Sequence, residues 1–466
     1  MTAPSTVPST PPAPRRGSRW IEEWDPEDEV FWEAKGKHVA RRNLTFSVIS
    51  EHIGFSVWSM YSVLALFMGP AYGIDPAGKF FLVAVASLVG AVLRVPYGFA
   101  VARFGGRNWT VFSAGLLLVP TTALLFVMEP GTSYTTFMIV AILTGVGGAN
   151  FASSMTNINN FYPQRLKGWA LGMNAGGGNI GVAVVQLLGL LVIGVVGAGH
   201  PRVLLAVYVP LIVVATVLSV RRMDNLAPVS NDTGAFKEAV RETHTWIMSF
   251  LYIGTFGSFI GYGFAFGLVL QNQFGRTPLQ AASLTFIGPL LGSLIRPVGG
   301  RLADRIGGAK VTLWNFALMA VAAAFVVLAS VQHSLGLFIG AFIALFVLTG
   351  IGNGSTFKMI PGIYGAKAAA QGLAGEAASV YTRRMSGASM ALIGAVGGLG
   401  GLGINLALRQ SFLTVGSGTG AFVAFLGYYG VCFLVTWAVY LRRSEPGTPG
   451  LPATPETKRQ PSYAQV

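Results

Sequence analysis

Charged residues are scarce in this sequence. Asp, Glu, Lys and Arg make up only 11% of its 466 residues, whereas soluble domains average about 25%. Hydrophobic residues account for 52%, and the mean hydropathy is +0.59. This composition excludes an ordinary soluble domain and indicates an integral membrane protein in contact with the lipid bilayer.

Cysteine and histidine are also rare, which limits the chemistry of the chain. The single cysteine, Cys432, excludes an intramolecular disulfide framework. The five histidines are scattered, and the sequence shows no His/Cys cluster with metal-ligand spacing, no nucleophile–base pair and no phosphate-binding loop. We therefore expect no metal, no cofactor and no enzyme activity. The lack of an ATP site favours a secondary transporter.

Long apolar segments take the place of the missing charges. Twelve of them have roughly the 20 residues that a helix needs to cross a bilayer. They lie at approximately 44–69, 79–102, 109–128, 134–161, 168–197, 203–221, 246–271, 279–303, 311–331, 335–364, 385–408 and 419–441. The sequence thus predicts an all-α integral membrane protein with 12 transmembrane helices.

Basic residues outnumber acidic ones, 32 to 18, and their placement predicts the orientation. Four of the 32 fall in loops on one side of the predicted spans and three within spans, whereas the remaining 25 lie in loops, tails and helix ends on the other side. In membrane proteins, an excess of Lys and Arg in the loops of one side indicates that this side is cytoplasmic. We expect a multi-pass protein of the plasma (inner) membrane with both termini in the cytoplasm. The net charge of +14 then reflects topology and implies no nucleic-acid partner.

The chain divides into two related halves. Arg94 precedes a Gly-Gly pair at 105–106 by 11 and 12 residues, and Arg296 precedes another at 307–308 by the same intervals. The polar segment 222–245 has six predicted spans on either side. Two pseudo-symmetric six-helix halves are typical of the major facilitator fold of secondary transporters, in which substrate binds near the membrane midplane between the halves.

This division predicts the domain organisation. The parts are a cytoplasmic tail with a surface helix (1–43), an N-terminal six-helix half (44–221), a cytoplasmic linker (222–245), a C-terminal six-helix half (246–441) and a disordered cytoplasmic tail (442–466). Asp25 is predicted to cap the surface helix, because Pro26 suits the first helical position. Residues 365–384 are expected to form a long cytoplasmic loop, either regulatory or merely connecting.

Four ionisable side chains lie well inside the predicted spans: Glu51, Arg94, Arg296 and Lys358. Such residues are costly in a bilayer and mark functional sites. Three positive charges against one negative charge would attract an anion and repel a cation. The matched positions of Arg94 and Arg296 predict that they approach each other across a central cavity. A guanidinium is a planar fork that binds oxyanions in bidentate geometry, so the pair could grip a small planar oxyanion.

Two long motifs carry a family resemblance. GVGGANFASSMTNINNFYPQRLKGWALGMNAGGGNIGV (145–182) resembles the first signature of the nitrate/nitrite porters of the major facilitator superfamily, and GIGNGSTFKMIPGIY (350–364) resembles the second. WDPEDEVFW and TWIMSFLYIGTFGSFIGYGF are similar to segments of the bacterial NarK-like branch. The resemblance covers nearly the whole chain. It implies secondary active transport of nitrate, nitrite or both by alternating access.

The resemblance also assigns roles to particular residues. It implies that Arg94 and Arg296 hold the anion and that Asn179 contacts it through its amide. It further implies a neighbouring hydroxyl, Tyr252, and three aromatic residues that pack above and below the planar ion: Phe55, Phe151 and Phe256. Two alternatives stay open, namely a carrier of another small organic or inorganic anion and an anion sensor without transport. We expect a monomer.

The coupling mode is also open on the sequence alone. Glu51 and His52 stand where the best-known antiporters of the family carry apolar residues. If they face the cavity, they could carry a proton, and the protein would be a nitrate/proton symporter. If Glu51 instead pairs with Lys358 or with a loop cation as a structural lock, nitrate/nitrite antiport is favoured. Lys358 either adds a positive charge near the site or reaches to the cytoplasmic edge.

Overall fold

The computed structural model describes residues 19–227, 229 and 231–442, and nearly all of them are helical. Residues 1–18 and 443–466, which contain most of the expected tails, lie outside the described residues. In chain order the helices are α1 (Glu29–Phe31), α2 (Lys37–Trp58), α3 (Met60–Phe67), α4 (Pro76–Phe104), α5 (Gly106–Leu116), α6 (Leu118–Val127), α7 (Tyr134–Thr144), α8 (Val146–Phe161), α9 (Gln164–Val196), α10 (Pro201–Arg222), α11 (Thr233–Arg241), α12 (Thr243–Tyr252), α13 (Ser258–Phe274), α14 (Pro278–Thr285), α15 (Ile287–Ile306), α16 (Gly308–Val331), α17 (Leu335–Ala370), α18 (Gly375–Val415) and α19 (Thr419–Thr436). Shorter elements are π-helical turns at Trp32–Gly36, Ile253–Gly257 and Trp437–Leu441, a 3-10 turn at Pro70–Tyr72, and the strands β1 (Trp20–Ile21) and β2 (Asn225–Leu226).

Eleven helical runs among the described residues are long and apolar enough to cross a membrane. The first predicted span, formed by α2 and α3, does not meet this standard, because it breaks at Ser59 and carries polar residues such as Glu51 and His52. Together these runs give the predicted architecture, with six spans (α2 to α10) before the linker and six (α12 to α19) after it.

The helix before the first span differs from its prediction. Asp28 is the N-cap, and its carboxylate accepts a hydrogen bond from the backbone N–H of Val30 at 2.9 Å. Asp25, the predicted cap, instead accepts from the N–H of Glu27 at 3.1 Å within the preceding turn. From α1 the chain continues through a π-helical turn directly into α2, so the predicted boundary at 43/44 falls inside one continuous helical run.

The linker and the stretch 365–384 are more regular than the sequence suggested. In the linker, β2 pairs in parallel with β1, and α11 is capped by Asp232. The predicted loop is wrong, because α17 extends to Ala370 and α18 begins at Gly375. Alanine favours helix, so the alanine-rich start of this stretch prolongs α17 rather than ending it.

The spans of the two halves touch on the side opposite the linker. There Trp58 packs edge-on against Phe264, with ring centroids 5.2 Å apart, and Gln186 donates a hydrogen bond to the carbonyl oxygen of Gly263 at 2.6 Å. Towards the linker side, Gly168, Gly172 and Gly176 lie on the face of α9 that carries Asn179. No atom comes within 4 Å of the point where a Cβ would sit on these glycines. The contacts of Trp58 and Gln186 therefore hold the two halves together on the outer side.

Candidate anion site between the two halves

Arg94 lies in the middle of α4 and is buried, with 2% of its surface exposed. Its Nε donates to the carbonyl oxygen of Gly148 on α8 at 3.2 Å, and its Nη1 donates to that of Gly394 on α18 at 2.7 Å. The second acceptor belongs to the C-terminal half, so this side chain bridges the halves. Nη2 has no hydrogen-bond partner among the described residues and is available to a ligand.

Aromatic rings surround the Arg94 guanidinium. Its Cζ lies 4.8 Å from the ring centroid of Phe151, 4.8 Å from that of Phe256 and 5.4 Å from that of Trp58. Phe151 and Phe256 come from opposite halves, yet their rings are nearly parallel, with centroids 6.1 Å apart and an interplanar angle of 26°. The face of a phenyl ring attracts a cation, so these rings stabilise a guanidinium that contacts no carboxylate in the described part of the chain.

Arg296 occupies the matching position in the second half. It lies on α15, is 8% exposed, and donates from Nη2 to the hydroxyl of Tyr252 at 3.2 Å. Nη1 has no partner among the described residues. The ring of Tyr252 stacks on the ring of Phe256, with centroids 5.2 Å apart and an interplanar angle of 9°. Arg94 lies over the ring of Phe256. The two arginines therefore meet through a shared aromatic layer, and each lies within the electrostatic field of the other.

Glycine packing positions this layer. Tyr252 ends α12, and Phe256 lies in the following π-helical turn. A Cβ on Gly257 would lie 2.6 Å from the Cα of Gly400, so only glycine lets α18 approach the turn this closely. Gly397, one helical turn earlier on α18, lies against the ring of Tyr252. Larger residues at these positions would displace both rings.

Two further predicted residues, Asn179 and Phe55, are also buried. Asn179 on α9 is 1% exposed, and neither atom of its amide has a partner among the described residues. An amide N–H can donate to an anion without changing the charge of the site. Phe55 is fully buried and meets Phe151 edge-on at 6.1 Å, so it supports that ring. The structure thus brings six of the seven residues to which the resemblance gave an anion-binding role into one network of contacts. The seventh, Asn179, lies buried on α9.

Two aromatic residues of the site were missed by sequence reasoning. Trp58 lies against Arg94, and Phe357 lies 5.8 Å from the Cζ of Arg296. Phe357 falls within the second signature, next to Lys358, and this motif was the signal that could have found it. Trp58 stands three residues after Phe55, a spacing that puts both side chains on one helical face.

The structure places the remaining charged candidates elsewhere. Lys358 is exposed and forms an ion pair with Asp304, with Nζ and Oδ1 2.9 Å apart. The expectations that it adds charge to the site or pairs with Glu51 are therefore corrected, because its long side chain reaches the linker-side surface. The Nδ1 of His52 lies 3.2 Å from the carbonyl oxygen of Gly177.

Glu51 is 1% exposed and points into the interior of the N-terminal half. Its Oε2 accepts hydrogen bonds from the hydroxyl of Ser154 and from Nδ2 of Asn174, the latter at 2.7 Å. It has no ion pair among the described residues. Arg94 and Arg296 act on it through their fields without contact.

Comparisons with known proteins show which family the chain resembles. The profile of the Major Facilitator Superfamily matches residues 48–382. The nitrate/nitrite transporter NarU of Escherichia coli (strain K12) is 38% identical over 453 residues, which cover 92% of this chain and 98% of that protein. The probable nitrate/nitrite antiporter NarK2 of Thermus thermophilus is 30% identical over 454 residues, which cover 91% of this chain and 97% of that protein.

Solved structures confirm the fold. The crystal structure of a POT family transporter in complex with 5-aminolevulinic acid matches with a TM-score of 0.61 and covers 85% of this chain and 95% of that one. The sequences are 14% identical, so this likeness concerns the fold alone. It agrees with the two six-helix halves predicted from the repeat.

Proposed function

We propose that this member of the Major Facilitator Superfamily carries nitrate and nitrite across the plasma membrane by alternating access. Within the superfamily, the chain belongs to the family of nitrate/nitrite transporters that includes NarU. Its relatives are transporters and not enzymes. One observation carries the proposal for the site. Arg94 and Arg296 are both buried, come from opposite halves, and each keep one terminal nitrogen without a protein partner.

The charge of the site fits an anion. Arg94 and Arg296 contribute two positive charges to the buried space between the halves. Uncompensated charge is costly away from water, so a bound nitrate or nitrite lowers this cost.

The shape of the site fits a planar ion. The ring centroids of Phe151 and Phe256 are 6.1 Å apart, whereas two van der Waals contacts of about 3.5 Å require roughly 7 Å. A planar anion can enter between these rings after a shift of about 1 Å. A tetrahedral anion needs more room and more donors than Arg94, Arg296 and Asn179 provide.

Anion binding drives the transport cycle by drawing the halves together. Without an anion the two guanidiniums repel each other, and an anion between them attracts both, so it binds the closed arrangement more tightly than the open one. Closure on the linker side requires opening on the outer side. That step breaks the contact of Trp58 with Phe264 and the hydrogen bond from Gln186 to Gly263.

The orientation and assembly state follow from charge and geometry. We place the linker and both termini on the cytoplasmic side, where the basic residues are concentrated. The protein acts as a monomer, because each chain has a complete site between its own two halves.

A second mode, nitrate entry together with a proton, is favoured by the environment of Glu51. This carboxylate is buried within a span and has no ion-pair partner among the described residues. An intramembrane carboxylate of this kind is a candidate proton carrier. His52 is the lesser candidate, because its ring is directed at the backbone of α9.

Purified protein in liposomes tests the function and the mode together. Vesicles loaded with nitrite or with chloride receive nitrate outside, and both the internal anion and the internal pH are followed. Uptake that requires internal nitrite, without a pH change, indicates exchange. Uptake into chloride-loaded vesicles with internal acidification indicates proton symport.

The same vesicles test the alternatives. The absence of nitrate flux from both preparations would contradict the proposed function. Flux of a carboxylate or sulfonate that nitrate does not inhibit would then indicate a carrier of another anion. Thermal stabilisation by nitrate without any flux would indicate a sensor.

A further inference from the structure

A cleft on the outer side of the protein lies where α4 of the N-terminal half meets α18 of the C-terminal half. Its volume is about 570 Å³, which falls within the range of about 300–1,000 Å³ typical of small-molecule sites. The lining comes from the turn before α4, the first turns of α4, the start of α7 and the last turns of α18. Arg94 lies roughly 27 Å further along α4 than the first residue of that helix, so the cleft is separate from the anion site.

Arg409 on α18 is the basic residue of this cleft. Its Cζ lies 5.2 Å from the ring centroid of Phe81 on α4, so the side chain reaches from one half to the other. The other basic residues of the outer side have protein partners, namely Glu129 for Arg202, the carbonyl oxygen of Met68 for Lys79 and that of Phe274 for Arg276. Arg409 has no hydrogen bond and no ion pair among the described residues, so its guanidinium keeps its donors for a ligand.

Asp75 is the acidic residue of the same cleft. It caps α4, and its Oδ1 accepts a hydrogen bond from the N–H of Gly78 at 2.7 Å. Asp75 and Arg409 both act electrostatically on the hydroxyl of Tyr134, yet they form no ion pair with each other within the described chain. The cleft therefore presents one positive and one negative group with space for a ligand to contact both.

We propose that this cleft binds the headgroup of a phospholipid that carries both a phosphate and a primary ammonium, as phosphatidylethanolamine does. The phosphate accepts hydrogen bonds from the guanidinium of Arg409, whose planar fork suits this group. The ammonium donates to the carboxylate of Asp75. The bound lipid thereby connects the two halves on the outer side, in addition to the transport activity proposed above.

Charge favours a zwitterion over a free anion in this cleft. An inorganic anion at Arg409 would also meet the field of the Asp75 carboxylate, and a simple cation at Asp75 would meet the field of the guanidinium. A headgroup with both charges satisfies both residues and leaves the net charge of the cleft unchanged. Lipid headgroups are abundant at this level of the membrane, whereas a soluble zwitterion must be captured from water.

The depth of the two charges fits a phospholipid. Asp75 lies at the outer end of α4, whereas Arg409 lies about 9 Å below the outer end of α18. In a phospholipid the ammonium is directed towards water and the phosphate adjoins the glycerol and the acyl chains. Leu413, which is 52% exposed, and Phe81 offer apolar surface for the start of these chains. Tyr134 begins α7, and tyrosine is enriched at the headgroup level.

Neighbouring contacts show what the lipid would stabilise. Phe80 on α4 stacks on Phe412 on α18, with ring centroids 5.3 Å apart and an interplanar angle of 28°. Alternating access, on which this step rests, separates such contacts when the outer side opens. A headgroup held by Asp75 of one half and Arg409 of the other binds the closed outer side more tightly than the open one, so it favours the closed arrangement.

Lipid binding to the delipidated full-length protein tests the inference. Native mass spectrometry measures the lipid retained after incubation with equal amounts of phosphatidylethanolamine, phosphatidylcholine and phosphatidylglycerol that carry the same acyl chains. Phosphatidylcholine has no N–H donor in its headgroup, and phosphatidylglycerol has no ammonium. We expect phosphatidylethanolamine to be retained roughly tenfold over either one, the effect of one charge-assisted hydrogen bond.

Two variants assign the contacts. Arg409→Gln removes the guanidinium and should lower phosphatidylethanolamine binding by roughly tenfold. Asp75→Asn should remove the preference for phosphatidylethanolamine over phosphatidylglycerol, and α4 should still fold because asparagine is also a good N-cap. Arg202→Gln makes the same change as the first variant at an outer residue paired with Glu129, and it should bind the lipid as the wild type does.

Hydrogen exchange tests the connection between the halves. In nanodiscs, replacing phosphatidylcholine by phosphatidylethanolamine should slow exchange at the outer ends of α4 and α18 by roughly fivefold in the wild type. The same replacement should have no effect in Arg409→Gln. Equal effects of the replacement in both proteins would overturn the connection through Arg409.

Three binding results would overturn the site itself. They are equal retention of the three lipids by the wild type, unchanged retention of phosphatidylethanolamine by Arg409→Gln, and competition by soluble glycerophosphoethanolamine as strong as by the lipid. The last result would indicate a soluble zwitterion in place of a lipid. Failure of nitrate transport would contradict the proposed function and leave these binding results unaffected, so the two failures are distinguishable.

Discussion

Arg296 donates a hydrogen bond from Nη2 to the hydroxyl oxygen of Tyr252 at 3.2 Å. The ring of Tyr252 also stacks on Phe256, over which Arg94 lies. This one bond therefore connects the arginine of the C-terminal half to the aromatic wall beside the arginine of the N-terminal half. An anion that draws the arginines together must move this wall too, so ring position and anion binding are linked.

Tyr252→Phe tests this link. The variant keeps the stacked ring but removes the acceptor of Arg296. Hydrogen bonds to charged groups contribute about 1.5–3 kcal/mol, so nitrate affinity should fall by roughly tenfold or more. Tyr428→Phe is the matched control, because the hydroxyl of Tyr428 donates to the carbonyl oxygen of Phe250, outside the site. Equal nitrate affinity in Tyr252→Phe and wild type would show that the bond does not orient Arg296.

Phe151→Leu tests the planar wall. Leucine keeps the site apolar but removes one of the two nearly parallel rings. The wild type should bind planar nitrate more tightly than tetrahedral perchlorate, which has the same charge. In the variant this preference should shrink, because the gap opens on one side. A competition assay with both anions measures the ratio, and an unchanged ratio would mean that the rings do not select shape.

Gly178→Ala tests the packing of α9 against Glu51 on α2. A methyl group at this position would collide with the Glu51 carboxylate, so the variant should lose the proton-driven nitrate accumulation of the second mode. Gly176→Ala, on the same helix, is the control, since nothing lies within 4 Å of its Cβ position. The control should be neutral or stabilising by about 1 kcal/mol, because alanine favours helix over glycine. Equal behaviour of the two variants would contradict the packing described for Glu51.

Arg384→Gln tests the linker contact. Arg384 on α18 forms ion pairs with Asp232 and Glu238 of α11, while Phe236 of α11 packs on Phe99 of α4 at 5.0 Å. Exposed pairs are worth at most about 1 kcal/mol each, so amide hydrogen exchange in α11 should quicken by roughly fivefold. Arg383→Gln, without an ion pair among the described residues, should leave exchange unchanged. Equal exchange in both variants would show that α11 is held by packing alone.

The same contact is insensitive to pH near neutrality. The hydrogen bond from Arg384, together with that from the N–H of Ala235, holds the pKa of Asp232 below its ordinary value of 3.8. A lowered pKa means that the stabilisation is complete above the ordinary value and is lost only as the pH falls through the lowered one. Any pH dependence of transport between pH 5 and 8 therefore arises elsewhere in the protein.

Much of the fold could be predicted because the same sequence pattern occurs once in each half of the chain. The matched intervals around Arg94 and Arg296 indicated two halves, and apolar length indicated the spans. The stretch 365–384 was misread, because polarity was taken as a break in the helix. It instead marks where α17 and α18 leave the bilayer.

Residues of the anion site could be predicted where they fall inside a sequence motif. They could not be predicted where only the packing of helices brings them to the site. Phe151, Asn179 and Phe357 lie inside long signatures. Trp58 lies outside both, and it reaches Arg94 only because α2 and α4 are packed together. The orientation of the Glu51 side chain could not be predicted either. The sequence places Glu51 on a span, but it does not show which face of α2 contacts the neighbouring helices.

The affinity of purified protein for nitrate in Arg94→Lys and Arg296→Lys tests the central claim most directly. Each variant keeps the charge but loses the free terminal nitrogen of the guanidinium, and each should weaken binding by roughly tenfold or more, the loss of one charge-assisted hydrogen bond. Arg202→Lys, at an exposed pair with Glu129, should bind as the wild type does. Titration calorimetry that gives wild-type affinity in either arginine variant would contradict an anion held between Arg94 and Arg296.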